Sequence, residues 1–352
     1  MSMRVKLEDV CEKGSSNLKQ SEVVGKSGEY PIFGAAGYIG NVDFYHQDKP
    51  YIAVVKDGAG IGRTSLLPAQ SSVIGTMQYL LPKNNVLPEY LCYVVRYMHL
   101  EKYFSGATIP HIYYRDYKNE EFNLDDLDRQ QEIVSTLGRV ESIIDARKEE
   151  LSKLDELVKA RFVEMFGDPE LNPKKWPIET LGDVLSVEPQ NGLYKPQSDY
   201  VQDGTGIPIL RIDAFYDGKL TDLSGLKRLN CTDTERSRYL LVENDIVINR
   251  VNSLEYLGKC AWITGLIEPT VFESNMMRFH VDESRINPCY ITRLLCSPFI
   301  YKQILNRAKK AVNQASINQR DVQNLKILIP PVELQKQYAA FVAQVDKSKV
   351  IV

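Results

Sequence analysis

Between residues 126 and 168 the chain repeats apolar positions at alternating spacings of four and three residues. This pattern keeps apolar side chains along one seam of a slightly underwound helix, with charged residues between the rungs. Gly167, Asp168 and Pro169 form a combination that cannot continue a helix. The pattern therefore predicts one long helix, roughly 50 Å between its first and last rungs at about 1.5 Å per residue. Its apolar rungs are Ile133, Leu137, Val140, Ile144, Leu151, Leu154, Val158 and Met165.

The C-terminal stretch, residues 331–352, continues the same ladder. We expect it to form a shorter helix that packs antiparallel along the first part of the long helix. The second half of the long helix would then be bare, and a bare apolar stripe is typical of a partner site. Arg147 and Arg161 interrupt the ladder and are expected to fix its register with the terminal helix or a partner. The predicted partner-binding residues are Leu151, Leu154, Val158, Phe162 and Met165.

Short runs rich in β-branched and aromatic residues, bounded by Gly and Pro, lie before and after the long helix and predict strands. Several landmarks of the first half recur in the second in the same order. Residues 245–250 answer residues 51–56, the helix expected at Pro288 answers the one at Pro88, and residues 315–318 answer residues 107–110. A repeat of about 200 residues implies a duplicated domain rather than a solenoid.

We therefore predict an α+β fold within the broad α/β class. Two duplicated domains, each a twisted mixed β-sheet with helices, are separated by the long helix. The predicted boundaries are 1–125 for the first domain, 126–168 for the long helix, 169–330 for the second domain and 331–352 for the short terminal helix.

Composition limits the function further. A formal net charge of -3 gives no overall basic field, so nucleic-acid binding would have to use local patches or a partner that supplies charge. The six Cys and four His show no metal-ligand spacing, so neither a metal nor another cofactor is expected. No run is long and apolar enough for a bilayer, and a reducing cytoplasm is the expected location.

A glycine-rich stretch, residues 57–64, raises the question of a phosphate-binding loop. Such a loop must open a helix, whereas here residues 64–67 resemble a return strand and the Walker lysine is missing. A β-hairpin turn is favoured, flanked by Lys56 and Arg63 as possible phosphate contacts. No pattern for general acid–base or nucleophilic catalysis is present. A stand-alone cofactor-binding enzyme such as a DNA methyltransferase, using the loop at Gly58, stays open as an alternative.

Loops that combine Tyr, Asn, Gln and basic residues suit nucleic-acid recognition better. Asn and Gln can pair with adenine, Arg with guanine, and Lys and Tyr can hold phosphates. A solvated loop without a ligand is the competing interpretation. The candidates of the first half are His111, Tyr113 and Arg115. Those of the second half are Lys310, Asn313, Gln314, Ser316, Gln319 and Arg320, with weaker ones at Asn191, Tyr194, Lys195, Arg250 and Asn252.

Three strings carry a resemblance to a known family. Residues 126–131 (Asp-Leu-Asp-Arg-Gln-Gln) and 329–335 (Ile-Pro-Pro-Val-Glu-Leu-Gln) each enter a helix, and residues 154–169 close the long one. Together with the duplicated order, these strings make the chain resemble the specificity subunit of type I restriction-modification systems over essentially its whole length.

The resemblance implies two target-recognition domains, each reading one half of a bipartite, asymmetric site on duplex DNA. The helices between them would set the unread gap and bind methyltransferase subunits, two in the family, while the restriction subunit joins through the complex. The chain itself would be non-catalytic. Its terminal helix is shorter than the family's second helical region, which leaves the docking of a second methyltransferase subunit open. A protein-only adaptor is the remaining alternative.

Overall fold

The computed structural model describes residues 2–106, 109–221, 223–312 and 314–351. It contains two compact units, Met1–Ala146 and Arg147–Val352. One uninterrupted helix of 40 residues, Leu127–Phe166, contributes to both and confirms the predicted long helix. Asp126 precedes it and accepts a hydrogen bond from the amide of Arg129 at 3.0 Å, while Gly167, at φ +82°, terminates it in the left-handed region.

The main sheet of the first unit is antiparallel. Its central strand is buried on both faces, because Ile52 and Val54 pack with Leu91 of the following helix while Tyr51 and Ala53 pack into a second cluster. In spatial order the strands of this sheet are Cys11–Ser15, Met77–Pro82, Tyr51–Val55 and Thr64–Leu67.

A smaller sheet of the first unit mixes antiparallel and parallel pairs, as predicted. Its strands are, in spatial order, Gly37–Val42, Tyr30–Gly34 and Ser72–Val73, and a separate two-stranded ribbon joins Met3–Lys6 to Glu121–Leu124. The helices are Leu7–Val10, Gln20–Val23, Pro88–Tyr97 and Tyr114–Tyr117, with a 3-10 turn at Leu100–Tyr103.

The second unit repeats the same order of strands in its main sheet: Leu185–Asn191, Met276–Val281, Ile246–Asn249 and Cys260–Trp262. Its mixed sheet consists of Tyr200–Val201, Arg228–Leu229, Ile207–Leu210 and Val271–Phe272. Short ribbons pair Ile178–Thr180 with Lys326–Leu328 and Phe215–Tyr216 with Lys219–Leu220. The helices are Asp233–Tyr239, Pro288–Leu295, Pro298–Arg307, Gln319–Gln323 and Val332–Ile351, with 3-10 turns at Leu181–Val184, Gln197–Asp199 and Leu254–Tyr256.

Matching backbone hydrogen bonds show that the two units are copies of one fold. In the first unit the amide of Ile112 donates to the carbonyl of Lys56 at 2.9 Å, and in the second the amide of Ile317 donates to Arg250 at 3.0 Å. Proline begins the equivalent helices Pro88–Tyr97 and Pro288–Leu295, as the sequence predicts. The α+β fold with duplicated domains is thereby confirmed. Ala107 and Thr108, in the predicted match to residues 315–318, lie outside the described residues.

The duplication extends to one buried glutamine, which lies in the first turn of the helix Leu127–Phe166 and again in the first turn of the helix Val332–Ile351. Gln130 and Gln335 are both fully buried. The side chain of Gln130 accepts from the amide of Leu87 (2.8 Å) and donates to the carbonyls of Asn85 (3.1 Å) and Asp125 (2.7 Å). Gln335 accepts from the amide of Asn287 (2.7 Å) and donates to the carbonyls of Arg285 (3.4 Å) and Pro330 (2.7 Å).

The terminal helix Val332–Ile351 does pack antiparallel to the long helix, but along its second half. Tyr338 donates to the carbonyl of Val158 at 3.4 Å, and further along the terminal helix Lys349 pairs with Asp155. Arg161 lies 5.6 Å from the centre of the Phe341 ring, as expected of a residue that fixes the register of the two helices. Arg147 instead pairs with Glu150 of its own helix at 2.6 Å.

The prediction that the second half of the long helix is bare is therefore wrong. Val158, Phe162 and Met165 are buried, and Leu151 and Leu154 are half-buried. The physical reason is aromatic packing: Phe162 stacks on Tyr290 at 5.6 Å and meets Tyr338 edge-on at 5.5 Å. Val158, Phe162 and Met165 belong to the largest core of the second unit, and Leu154 packs against it.

Candidate nucleic-acid interface

In the first unit, the glycine-rich stretch is the turn of a hairpin. Strands Tyr51–Val55 and Thr64–Leu67 are antiparallel, which confirms the hairpin and gives no helix on which a phosphate loop could be built. Gly58 and Gly62 adopt φ of +92° and +81°. A Cβ at Gly60 would lie 2.0 Å from the guanidinium of Arg63, so glycine lets this exposed arginine fold back across the turn.

The turn meets the segment that carries the other predicted contacts of this unit. Asp57 and His111 form a β-bridge, and the amide of Gly58 donates to the carbonyl of Pro110 at 2.9 Å. Ser105 bridges to His111 from the other side. Three short segments thus lie side by side, which brings Lys56 and His111, 55 positions apart in the chain, to one place.

Asp57 joins these two predicted residues. Its carboxylate lies 2.6 Å from the ammonium of Lys56 and 2.6 Å from Nδ1 of His111. Partial burial acts to raise the pKa of Asp57, but the hydrogen bonds from Lys56 and His111 outweigh it and hold the pKa below its usual value. The Lys56 ammonium and the His111 ring are therefore held in place, and Asp57 already offsets part of the charge of Lys56.

Aromatic contacts continue this surface outward. The ring of Tyr113 stacks on His111 with centroids 6.3 Å apart, and the guanidinium of Arg115 lies 4.8 Å from the centre of the Tyr113 ring. Both Tyr113 and Arg115 are exposed. The stack orders a planar, partly cationic surface of the kind that suits bases and phosphates.

The second unit builds the same arrangement as a small three-stranded sheet, with Ala315–Ser316 between Val251–Asn252 and Lys309–Lys310. Asn252 and Lys310 both lie opposite Ala315, and Ser316 lies opposite Lys309. Lys310 and Gln314 are exposed, while Asn252 and Ser316 are half-buried. The predicted residues of this unit are therefore brought together in one ribbon.

Several other predicted residues flank this ribbon. Arg250 is anchored by a hydrogen bond to the carbonyl of Ser274 at 3.0 Å. Gln319 and Arg320 are exposed in the first turn of the helix Gln319–Gln323. Asn313 lies outside the described residues.

The three predicted contacts in the loop at residues 191–195 differ in their exposure. Asn191 and Tyr194 are exposed, whereas Lys195 is half-buried and is already paired with two carboxylates. Its ammonium lies 3.0 Å from Glu235 and 3.3 Å from Asp199, and its side chain is only 15% exposed. The hydrogen bond with Glu235 raises the pKa of Lys195 and ties the lysine to the loop.

One residue that sequence reasoning missed is Lys259. Its ammonium lies 4.5 Å from the ring centre of Tyr216 and 5.4 Å from that of Tyr256, and burial lowers its pKa. Lys259 occupies the position of Arg63, because each lies between a glycine and the first residue of the return strand of its hairpin. Each carbonyl also accepts from the last residue of the preceding strand, from Val55 at 2.9 Å and from Asn249 at 2.8 Å. Aligning the two halves of the sequence through this hairpin would have identified Lys259 as the match of Arg63.

Within the described ranges, His, Cys, Asp and Glu side chains form no group of three that could hold a metal ion. Over the same ranges, every helix is too short or too polar to cross a bilayer.

The repeated fold and the repeated polar ribbon define a duplicated α+β protein with two matching surfaces. The family model "Type I restriction modification DNA specificity domain" matches residues 2–156 and again residues 173–351. The chain therefore belongs to this family.

Relatives and solved structures agree with this membership. The chain is 36% identical over 177 residues to a putative type I restriction enzyme MjaX specificity subunit of Methanocaldococcus jannaschii, covering 49% of this chain and 40% of the relative. It is 25% identical over 254 residues to the EcoKI specificity subunit of Escherichia coli, covering 68% and 53%. The chain thus spans about half the length of these relatives.

Two solved structures share the fold. The type I restriction-modification S subunit from M. genitalium gives a TM-score of 0.61 at 16% identity, covering 99% of this chain and 90% of that one. A chain from a structural study of assembly and conformational transition in the type I system gives a TM-score of 0.53 at 17% identity, with coverage of 99% and 91%.

Proposed function

We propose that this chain is the sequence-reading subunit of a type I restriction-modification complex. Each unit reads one half of a bipartite, asymmetric site on duplex DNA through its polar ribbon. The chain carries no catalytic step and needs no cofactor of its own. Methylation and cleavage belong to the subunits that assemble with it.

One observation carries this proposal: the two units share the same backbone arrangement but present different side chains on it. The hydrogen bonds that fix the ribbon are the same in both units, as at Lys56 and Arg250. The exposed groups differ: the first unit presents a Tyr113–Arg115 stack, and the second presents Lys310 and Gln314. A fixed backbone with changed side chains is what two readers of different half-sites require, since base edges are distinguished by donor and acceptor pattern.

The long helix then acts as the spacer between the two readers. At about 1.5 Å per residue, its 40 residues form a rod about 60 Å long. Because a continuous helix is stiff along its axis, its length fixes how many base pairs stay unread. The boundaries 1–125, 126–168, 169–330 and 331–352 remain our assignment of readers and helices.

Partners supply what this chain lacks. A formal net charge of -3 gives no overall basic field, so basic surfaces of methyltransferase subunits would supply much of the phosphate contact beside the local patches of this chain. We propose two such subunits, with the restriction subunit joining through the assembled complex. The location would be cytoplasmic, where the chromosome of a bacterial or archaeal cell lies.

Footprinting of the assembled complex on a randomised duplex library, followed by sequencing of bound DNA, tests this function. We expect two protected patches of defined sequence with an unprotected gap between them. Continuous protection, or protection that does not depend on sequence, would refute the proposal. Calorimetric titration of the isolated chain with S-adenosylmethionine should give no binding heat, whereas saturable heat would favour a stand-alone methyltransferase.

A further inference from the structure

Two cysteine side chains meet in the largest core of the second unit. The sulfur of Cys260, in the strand Cys260–Trp262, lies 3.6 Å from the sulfur of Cys296, which directly follows the helix Pro288–Leu295. The Cys260 sulfur also lies 3.9 Å from the carbonyl oxygen of Thr292 in the last turn of that helix. The two thiols are therefore close enough for one to donate a hydrogen bond to the other, and they belong to a strand and a helix that pack together.

The two thiols differ in their exposure to solvent. Cys260 is fully buried, whereas Cys296 is half-buried. Both lie along a pocket of about 290 Å³ in the second unit, whose walls also include Tyr216, Tyr256 and Ile304. Because Cys296 is the more exposed of the pair, a small molecule that enters this pocket reaches the sulfur of Cys296 before that of Cys260.

Neighbouring groups favour the thiolate form of Cys296. The hydrogen bond from the Cys260 thiol lowers the pKa of Cys296, and the same contact raises the pKa of Cys260. The guanidinium of Arg293 lowers the pKa of Cys296 further, and the opposing effect of burial does not outweigh these contributions. Arg293 and Lys159 also pair with the carboxylate of Asp217, at 3.0 and 2.8 Å, so this nearby negative charge is compensated. Because the thiolate is the reactive form of cysteine, we expect Cys296 to react first.

We propose that Cys296 and Cys260 form a reversible redox pair, in which hydrogen peroxide converts the two thiols into a disulfide. The Cys296 thiolate attacks one oxygen of the peroxide, the O–O bond breaks, and the leaving hydroxide takes up a proton, which gives water and a sulfenic acid on Cys296. The Cys260 sulfur then attacks the Cys296 sulfur. The S–O bond breaks, and the released hydroxide takes the Cys260 proton to form a second water. Two thiols and one peroxide thus give one disulfide and two waters.

The geometry and the surroundings of the pair suit such a reversible bond. A disulfide holds its sulfurs about 2.05 Å apart, so the two sulfurs must approach by roughly 1.5 Å. Rotation of the Cys296 side chain can supply this movement, because Cys296 lies at the end of its helix and borders the pocket. In a reducing cell the bond would form only on exposure to peroxide, and dithiol reductants would restore the thiols. The proposal goes beyond the reading of DNA and does not depend on it.

Peptide mapping of the full chain tests the bond. The chain is reduced, freed of reductant and exposed to a small molar excess of hydrogen peroxide. The remaining thiols are then blocked with N-ethylmaleimide in urea, and the chain is digested with trypsin without reduction and analysed by mass spectrometry. We expect one linked pair of peptides, residues 260–278 joined to residues 294–302, lighter by two hydrogens than the separate peptides together. Dithiothreitol added before the blocking step should restore both thiols.

Serine variants separate the roles of the two sulfurs. In Cys260→Ser the sulfenic acid on Cys296 has no thiol to resolve it, so dimedone should trap it there. In Cys296→Ser the buried Cys260 should react with peroxide at least about tenfold more slowly, because it is protonated and inaccessible. Cys231→Ser is the matched control: Cys231 is also half-buried, but burial raises its pKa, and its replacement should leave the linked pair unchanged. Circular dichroism verifies that each variant folds.

Two results would overturn the proposal. One is the absence of the linked pair at a peroxide concentration that fully oxidises glutathione in a parallel sample, because the two thiols would then be only a packing contact. The other is dimedone labelling of Cys260 in Cys296→Ser that is as fast as labelling of Cys296 in Cys260→Ser, because exposure and charge would then not distinguish the two sulfurs. Neither DNA nor a partner subunit is present, so failure here leaves the footprinting result independent.

Discussion

Replacing Gln130 with Leu removes the buried side chain that joins the start of the long helix to the loop before the helix Pro88–Tyr97. Leu has a similar size but cannot hydrogen-bond. The amide of Leu87 and the carbonyls of Asn85 and Asp125 would then lose their partner. Gln130 is fully buried, so water cannot replace the lost bonds without a local opening.

The size of the effect follows from these three hydrogen bonds. Each contributes about 1 kcal/mol net, so their loss should lower the free energy of unfolding of the first unit by about 3 kcal/mol. The added apolar surface of Leu offsets part of this loss. Gln131→Leu is the matched control, because Gln131 is exposed on the same helical turn and its replacement should stay within about 0.5 kcal/mol.

Urea denaturation followed by circular dichroism measures the total loss, and hydrogen exchange read by mass spectrometry locates it. Exchange should accelerate around residues 85–91 and 125–131, and Gln335→Leu should produce the corresponding change around residues 285–291 and 330–336. Equal stability of Gln130→Leu and Gln131→Leu would refute the reasoning. So would faster exchange that leaves both named segments protected.

Three further predictions address the core, the ion pairs and the DNA surface. Phe162→Ala should lower the free energy of unfolding by about 3 to 5 kcal/mol in urea, whereas exposed Val163→Ala should have little effect; comparable losses would contradict the core assignment. The pKa of Asp57 is lower in the folded state, so the stability it provides is present above pH about 4 and is lost as the pH falls through the folded pKa. Asp57→Asn should therefore reduce the fall in the free energy of unfolding at acid pH. An unchanged fall would count against the pairing of Asp57 with Lys56 and His111. In DNA binding by the complex, Lys310→Ala should reduce the slope of log affinity against log salt by about 0.9, and an unchanged slope would remove Lys310 from the phosphate contacts.

The sequence predicts the long helix and the duplication because both rest on periodicity and order, which survive without tertiary information. The hairpin at Gly58 follows from local chemistry, since a strand rather than a helix comes after it. These features are properties of short segments or of their repetition along the chain.

The half of the long helix along which the terminal helix packs could not be read in this way, although the antiparallel direction was. Both halves of the long helix carry the same ladder, and the terminal helix fits either. The deciding contacts are those of Phe162 with Tyr290, which are 128 positions apart and meet only in the folded chain. The sequence signal for this packing was the pair Phe162 and Phe166 in the second half of the helix, because bulky rings favour a core over an exposed face.

The candidate DNA surface was predicted only in part, for a similar reason. Residue type singled out Lys310 and Tyr113, but it could not show that Lys195 is held between two carboxylates or that Lys259 lies among aromatic rings. The two buried glutamines were missed because a glutamine near a polar helix start resembles a surface residue. Burial and partners, which decide these roles, depend on contacts between distant segments.

The central claim is that each unit reads its own half of a divided DNA site. Mapping of methylated positions across the genome of cells that carry this chain in its complex tests it directly, with the unmodified chain compared with Gln314→Ala. We predict a bipartite methylated motif in which Gln314→Ala relaxes the sequence of one half and leaves the other half and the gap unchanged. A continuous motif, or a substitution in one unit that alters both halves, would contradict the account.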